Sequence, residues 1–180
     1  MTPKNQKPQD DLKISSVEEF LAHARAMERE ASDQYADLAE QMEVHNNREV
    51  SDLFASLSVI EGKHVDKIAE KMVGREIPHL APWDFKWQGT TAPENPAATD
   101  AHYMMTAHHA LTLALGAEER AAAFYRRVAQ ETDEPDVRQM ALEMALEEDE
   151  HMVWLMDWLK RYPEPESNWD EDFDPPMQQE

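Results

Sequence analysis

The sequence contains no cysteine among its 180 residues. It therefore cannot form disulfides, thiolate zinc sites, iron–sulfur clusters or cysteine nucleophiles, and a metal site would have to use oxygen and nitrogen ligands. Basic residues are also scarce, with 17 against 38 acidic ones, which gives a formal charge of −21. A field of that sign repels phosphate backbones and anionic lipids and attracts cations. We therefore expect neither nucleic acid nor a membrane among the partners.

Long apolar runs are missing as well. Nowhere do 18 apolar residues stand together, and residues 1–13 are polar, without the apolar stretch of a signal peptide. These features lead us to expect a cytoplasmic location. At roughly 100–200 residues per domain, the length predicts a single domain.

Residues that interrupt helices are few over most of the chain. There are only 4 glycines, and the 11 prolines gather near the two ends and between positions 78 and 96, apart from Pro135. Proline suits the first turn of a helix, and the remaining stretches carry apolar residues at steps of three and four. The pattern predicts helices over about 16–44, 47–73, 106–131 and 134–161.

The connections between these helices favour one architecture. Two are short and one, over residues 74–105, is long, which is typical of an all-α four-helix bundle whose crossover lets two helical hairpins pack side by side. We expect Trp83, Phe85 and Trp87 to hold the crossover against the bundle. Residues 1–15 form a polar N-terminal segment, and residues 162–180 form an acidic tail that we expect to be solvated.

The two hairpins repeat each other in sequence. Shifting the first helix by 90 positions onto the third places Glu28 on Glu118 and Tyr35 on Tyr125, so that the frame E-x-x-A-x-x-x-Y occurs twice. Residues three, four or seven apart share one face of a helix. These glutamates and tyrosines fall on the apolar stripes, so we expect them to point into the bundle.

The second and fourth helices also match, at an offset of 87. The motif E-x-x-H appears as Glu61 with His64 and as Glu148 with His151. Four carboxylates in a core cannot stay ionised without compensation, because burying an unpaired charge costs several kcal/mol or more. They are therefore neutral or hold cations, and four carboxylates with two imidazoles supply ligands for two divalent ions, iron or manganese above all.

Other residues offer alternatives to this assignment. A third E-x-x-H, Glu76 with His79, contains Pro78 and has no repeat counterpart, so we interpret it as a coincidence. Three glutamates adjacent or close to the proposed ligands are expected to lie on solvated faces: Glu30, Glu119 and Glu147. Five histidines without repeat counterparts are expected to be surface or capping residues: His23, His45, His102, His108 and His109.

The duplicated frame over residues 16–161 resembles the ferritin-like di-iron carboxylate superfamily, and within it the rubrerythrin-like branch. The resemblance implies one glutamate from each of two helices and Glu-x-x-His from each of the other two. By that resemblance Glu28 and Glu118 would be the mainly terminal ligands, and Glu61 and Glu148 the bridging ones.

The resemblance also implies roles for the remaining site residues. His64 and His151 would each supply one imidazole per metal, while Tyr35 and Tyr125 would hydrogen-bond ligand carboxylates. The chain departs from rubrerythrins in two ways. It has Ala121 where they carry an extra glutamate three residues after the ligand of the third helix, and it lacks their four-cysteine rubredoxin domain.

The function that these residues predict is a non-haem di-iron oxidoreductase that reduces hydrogen peroxide or dioxygen with electrons from an external donor. The cofactors would be two iron ions, with manganese as the alternative metal, and the oligomer a homodimer or larger. Two other functions stay open: a ferroxidase or iron-storage protein, and a bundle with structural metals that acts as an interaction module.

Overall fold

The computed structural model describes residues 12–87, 91–96 and 101–169. Over these ranges the chain forms four helices and no strand, which confirms the predicted all-α bundle: α1 (Val17–Val44), α2 (Arg48–Met72), α3 (Ala107–Glu131) and α4 (Pro135–Leu159). Their ends differ from the predicted ones by at most two residues. Among the described helices, none is both long enough and apolar enough to cross a membrane.

Local chemistry explains where the first two helices begin and end. The hydroxyl of Ser16 accepts a hydrogen bond from the Glu19 N–H at 3.1 Å, and the Glu19 carboxylate accepts one from the Ser15 N–H at 2.9 Å. The Ser16 hydroxyl thus satisfies an N–H that the first turn of α1 leaves without a helical partner, and the Glu19 carboxylate ties the residue before the cap to the same turn. At the other ends, Asn46 (φ 59°) follows α1 and Gly74 (φ 77°) follows α2, and both conformations favour these residue types.

The helices pair as two hairpins, α1 with α2 and α3 with α4. Side-chain contacts then join the hairpins to each other. The rings of Phe20 in α1 and Tyr125 in α3 meet edge to face at 6.0 Å. Between α2 and α4, Lys67 lies 3.7 Å from a carboxylate oxygen of Glu147. Each hairpin therefore presents its inner face to the other.

The core is divided into two apolar clusters. One lies towards the start of α1 and includes Phe20 and Met27, and the other lies towards its end and includes Tyr35 and Leu38. Glu28 is buried at the junction of the two. The apolar clusters therefore enclose a polar layer at mid-bundle.

A histidine of α1 holds the crossover together with two of the three predicted aromatic residues. His23 is fully buried, its Nε2 accepts the Lys86 N–H at 3.2 Å, and its Nδ1 donates to the Glu19 carbonyl at 2.8 Å. The rings of Phe85 and Trp87 stack at 4.2 Å and pack edge-on against it. The prediction that His23 is a surface or capping residue is therefore wrong.

Trp83 is 72% exposed and so buries less of its surface than the other two predicted aromatics. His109 does cap a helix as expected, because its Nδ1 accepts from the backbone N–H of Thr106 at 3.1 Å.

The two ends of the described chain pack more tightly than their composition predicts. Leu12 and Ile14 are buried, and the Thr132 hydroxyl donates to the Ile14 carbonyl at 2.8 Å. At the other end Trp169 is half-buried, with its ring 3.9 Å from that of His109. Single residues of both ends therefore pack against the bundle, while residues 1–11 and 170–180 lie outside the described ranges.

One apolar surface remains open to solvent on α4. Its side chains follow each other at helical spacing and are 44–64% exposed. We call this surface the outer α4 face, and it consists of Leu142, Leu146, Val153 and Met156.

Candidate metal centre

The four predicted carboxylates all reach the polar layer at mid-bundle. Each stands on the inner stripe of its helix, and none is more than 2% exposed: Glu28, Glu61, Glu118 and Glu148. Their burial follows from helical periodicity, because each sits three or four residues from apolar side chains that face the core. The helices thus bring together the acids that the repeat singled out.

The first hairpin contributes one compact group. His64 Nδ1 lies 3.1 Å from an oxygen of Glu61 and 3.3 Å from an oxygen of Glu28. The first contact joins two residues on successive turns of α2, and the second joins α2 to α1. One imidazole thus faces both carboxylates of its hairpin.

The second hairpin repeats this arrangement. His151 Nδ1 lies 3.1 Å from Glu148 and 3.5 Å from Glu118. The His151 side chain is 20% exposed, against 9% for His64. The second group is therefore the one closer to solvent.

The two groups meet at their imidazoles. The rings of His64 and His151 lie parallel, with an interplanar angle of 1° and a centroid separation of 4.7 Å. The repeat seen in sequence is thus an approximate twofold relation in space. Each hairpin supplies two carboxylates and one imidazole, which together form one joint site.

Burial raises the pKa of two of the carboxylates. Desolvation raises the pKa of Glu28 to about 7, although its hydrogen bond with His64 acts in the opposite direction. Desolvation likewise raises the pKa of Glu118 to about 8. Both acids therefore tend to carry a proton near neutral pH unless a cation takes its place.

The pKa values of both imidazoles are raised, which favours the charged form. Burial alone would lower the pKa of His64, but hydrogen bonds to Glu28 and Glu61 outweigh it and raise the pKa to about 10. The same balance, with Glu118 and Glu148 as partners, raises the pKa of His151 to about 11. Protonated imidazoles are thus the cations that partly compensate the carboxylates.

The two tyrosines of the repeat are both fully buried beside the site but differ in their contacts. The Tyr125 hydroxyl donates to Glu28 Oε1 at 3.1 Å, as the resemblance implies. The Tyr35 hydroxyl has no hydrogen-bond partner. Only one of the two repeated tyrosines therefore makes the hydrogen bond to a ligand carboxylate that the resemblance implies for both.

The donor set fits a pair of divalent cations. Glu61 Oε1 is buried without a hydrogen-bond partner, and such atoms are rare in folded proteins unless an ion or water satisfies them. The other three carboxylates each direct one oxygen at the imidazole of their own hairpin: Glu28 Oε2 at 3.3 Å, Glu118 Oε2 at 3.5 Å and Glu148 Oε2 at 3.1 Å. Within each hairpin, the two carboxylates and the imidazole offer ligand atoms within 4.8 Å of one another. Carboxylate and imidazole ligands of this kind suit iron and manganese.

The structure adds one acid that sequence reasoning missed. Glu94, in the crossover, is fully buried and joins two further groups of possible ligands, one with Glu28 and Glu148 and the other with Glu61 and Glu118. It has no counterpart in the repeat, so the comparison of the two hairpins could not reveal it. The only sequence signal was its position in a Pro-Glu-Asn-Pro stretch typical of a tight turn.

The alternative residues lie away from the site. Glu76 and His79 are both exposed, as are Glu119 and Glu147. Glu30 is different, because it is half-buried and accepts hydrogen bonds from the crossover. The expectation of a solvated face is therefore wrong for Glu30.

Comparison with known proteins places this arrangement in context. Residues 18–164 match the family of ferritin-like domains. A crystal structure of an uncharacterized conserved protein from Magnetospirillum magnetotacticum MS-1 is 35% identical, covers 84% of this chain and 98% of its own, and superposes with a TM-score of 0.64. No curated protein matches the chain significantly.

Proposed function

Because this chain belongs to the family of ferritin-like domains, we propose that it is a di-iron oxidoreductase of rubrerythrin type that reduces hydrogen peroxide in preference to dioxygen. The observation that carries the proposal is the duplicated buried group of two carboxylates and one imidazole. Manganese is the alternative metal, since the same ligands suit it.

The residues divide into those that hold the metals and those that prepare the site. Glu28, Glu61 and His64 would hold one ion, and the matching residues of the second hairpin would hold the other. When bound, two ferrous ions supply the two electrons that convert one peroxide and two protons into two waters, and both become ferric.

The protein's own groups control protons and solvent around that chemistry. The Tyr125 hydroxyl fixes one oxygen of Glu28, which leaves the other directed towards His64. The apolar clusters on either side of the polar layer exclude water, and exclusion of water strengthens every electrostatic interaction inside the site. We propose that a small oxidant enters on the side of His151, whose side chain is 20% exposed.

We propose that electrons reach the site from a separate donor. The chain has no cysteine and so carries no iron–sulfur or rubredoxin-type centre of its own. We propose a soluble reductant or a donor protein, and the formal charge of −21 favours a donor with a basic surface.

Stopped-flow mixing of the ferrous-loaded protein with each oxidant tests the reaction. We expect oxidation to be faster with hydrogen peroxide than with dioxygen at equal concentration, and a small reductant to restore the ferrous state for a second turnover. The variant Glu148→Ala should lose the fast phase, whereas Glu76→Ala, which changes an exposed carboxylate, should keep it.

Other outcomes would replace the proposal. Faster reaction with dioxygen, together with retention of ferric iron far beyond two ions per chain, would make the protein a ferroxidase or storage protein. Bound metal that reacts with neither oxidant would make the metals structural.

We also propose that the chain forms a homodimer through the outer α4 face. Exposed apolar side chains at helical spacing on one long helix suit pairing with the same helix of a second copy about a twofold axis. The variant Leu146→Lys should shift the sedimenting species from dimer to monomer without changing helix content. A wild-type chain that sediments as a monomer would contradict this assignment.

A further inference from the structure

We propose that Glu94 is a seventh protein ligand of the dinuclear site, delivered by the crossover instead of by a helix, and that it faces both metals. This inference rests on the proposed dinuclear site. It also assigns the crossover a direct part in metal binding, which neither the repeat nor the resemblance implies.

The environment of Glu94 is the first argument. The residue is fully buried, and both of its carboxylate oxygens lack a hydrogen-bond partner. An ionised carboxylate in such a place costs several kcal/mol or more unless it is paired. The charged groups that face it are the four glutamates of the helices, which raise its pKa further after burial itself has raised it. Protonation would remove the charge of each acid separately, whereas a cation between these acids would also give their oxygens a shared partner.

The position of Glu94 is the second argument. One group of ligand atoms within 4.8 Å contains Glu94, Glu28 and Glu148, and another contains Glu94, Glu61 and Glu118. Each of these groups combines acids from both hairpins. Glu94 therefore lies within ligand distance of both halves of the site, as a carboxylate that serves two ions must.

A tight turn directs the side chain inwards. The Asn95 N–H donates to the Ala92 carbonyl at 3.1 Å, which closes a four-residue turn over residues 92–95. Pro93 occupies the second position of that turn, where its fixed φ is preferred. The turn leaves Glu94 at the third position, buried against the bundle.

Residues close to the helix ligands hold this turn in place. The Glu30 carboxylate, two positions after the α1 ligand, accepts the Ala92 N–H at 3.0 Å and the Asn95 side-chain amide at 2.7 Å. Arg120, two positions after the α3 ligand, donates to the carbonyls of Pro93 at 2.9 Å and Asn95 at 3.0 Å. The turn is thus fastened to both hairpins at the level of the site.

The sequence of α3 lacks a carboxylate that Glu94 can replace. Where rubrerythrins carry an extra glutamate three residues after the α3 ligand, this chain has the buried methyl group of Ala121. Glu94 supplies a fifth carboxylate from the crossover. With five carboxylates and neutral imidazoles, two divalent ions give a formal charge of 4 − 5 = −1 and two trivalent ions give 6 − 5 = +1. With four carboxylates the values would be 0 and +2, so Glu94 favours the ferric pair.

The variant Glu94→Gln tests the inference, because it keeps the shape of the side chain and removes its charge. Glu76→Gln is the matched control, since it makes the same change at an exposed position of the same connection. Anaerobic titration with Fe²⁺ should give two ions per chain in the wild type and the control. In Glu94→Gln the apparent Kd of both ions should rise by about tenfold or more, in the range seen when supporting groups of metal sites are lost.

Two further readouts separate a ligand from a structural acid. Fe²⁺ should slow amide exchange at Ala92 and Asn95 by about tenfold or more in the wild type and the control, but not in Glu94→Gln. The midpoint potential of the iron should also move to a more positive value in this variant. Glu94→Ala should show the same changes, and circular dichroism of both variants should remain that of the wild type.

Clear results would overturn the inference. Two ions bound by Glu94→Gln with unchanged affinity and unchanged protection of the turn would show that Glu94 is not a ligand, while the site of six helix residues would stand. Loss of helix content in both Glu94 variants would show instead that the acid is structural. A wild-type chain that binds no iron would overturn the proposed dinuclear site itself.

Discussion

The two buried tyrosines provide a matched pair in which the same substitution should have opposite consequences. Tyr125→Phe removes the donor to Glu28 Oε1, which lies 3.1 Å away. Tyr35→Phe removes a hydroxyl that has no hydrogen-bond partner. Both rings are fully buried and occupy equivalent positions of the repeat, so the packing lost is the same.

The size of the change in the free energy of unfolding depends on whether the substitution leaves a buried polar atom without its hydrogen-bond partner. In Tyr125→Phe, a buried carboxylate oxygen loses its donor, which costs about 1–3 kcal/mol of the free energy of unfolding. In Tyr35→Phe nothing is left unpaired, and removal of a buried unsatisfied hydroxyl is neutral or stabilises by up to about 1–3 kcal/mol. The two variants should thus differ by about 1 kcal/mol or more in the free energy of unfolding, and each kcal/mol corresponds to roughly 2–4 °C in Tm for a domain of this size.

Urea unfolding followed by circular dichroism, with a chelator present in all samples, measures this difference. The chelator matters because a bound cation would compete with Tyr125 for the Glu28 carboxylate. Equal losses of stability in the two variants, or a larger loss in Tyr35→Phe, would refute the reasoning from the hydrogen bond.

Two further predictions concern the acids of the site. In chelated protein, the folded-state pKa values of Glu28 (about 7) and Glu118 (about 8) lie above the usual 4.5. The protonated acids therefore contribute their full stabilisation below pH 4.5, and this contribution is lost as the pH rises through 7 and 8. Thermal melts from pH 5 to 9 should therefore show a falling Tm, and a Tm that climbs steadily over this range would contradict the assignment. Metal analysis should show that Glu61→Ala or Glu148→Ala loses both ions together, because each is proposed to bridge them, while Glu76→Ala keeps both. A variant of either bridge that retains one tightly bound ion would exclude a shared site.

The part of the fold that could be predicted is the part encoded by periodicity. Glu28 and Glu118 each fall on an inner stripe and recur at a fixed offset, so sequence alone brought them to one layer. Helical spacing also placed each histidine on the face of its own glutamate, as with Glu61 and His64. These relations depend only on the geometry of single helices and their repetition.

The connection could not be predicted in the same way. Glu94 and Glu30 act through a turn that packs across the hairpins, and such contacts between distant parts of the chain leave no periodic trace. The burial of His23 could not be predicted for the same reason, because its partner Lys86 lies 63 positions away in the crossover. Trp83 shows the converse, since an aromatic residue in a connection need not be buried.

Because the site is divided between two hairpins, the crossover also determines how its two halves come together. Each hairpin holds half of the ligands, so separate hairpins would have to meet in solution before a complete site existed. The covalent connection makes that meeting intramolecular, and tethered partners of this kind experience effective concentrations in the millimolar range. Assembly of the two half-sites is therefore independent of protein concentration, and dilution that separates the proposed dimer should leave the affinity for metal unchanged.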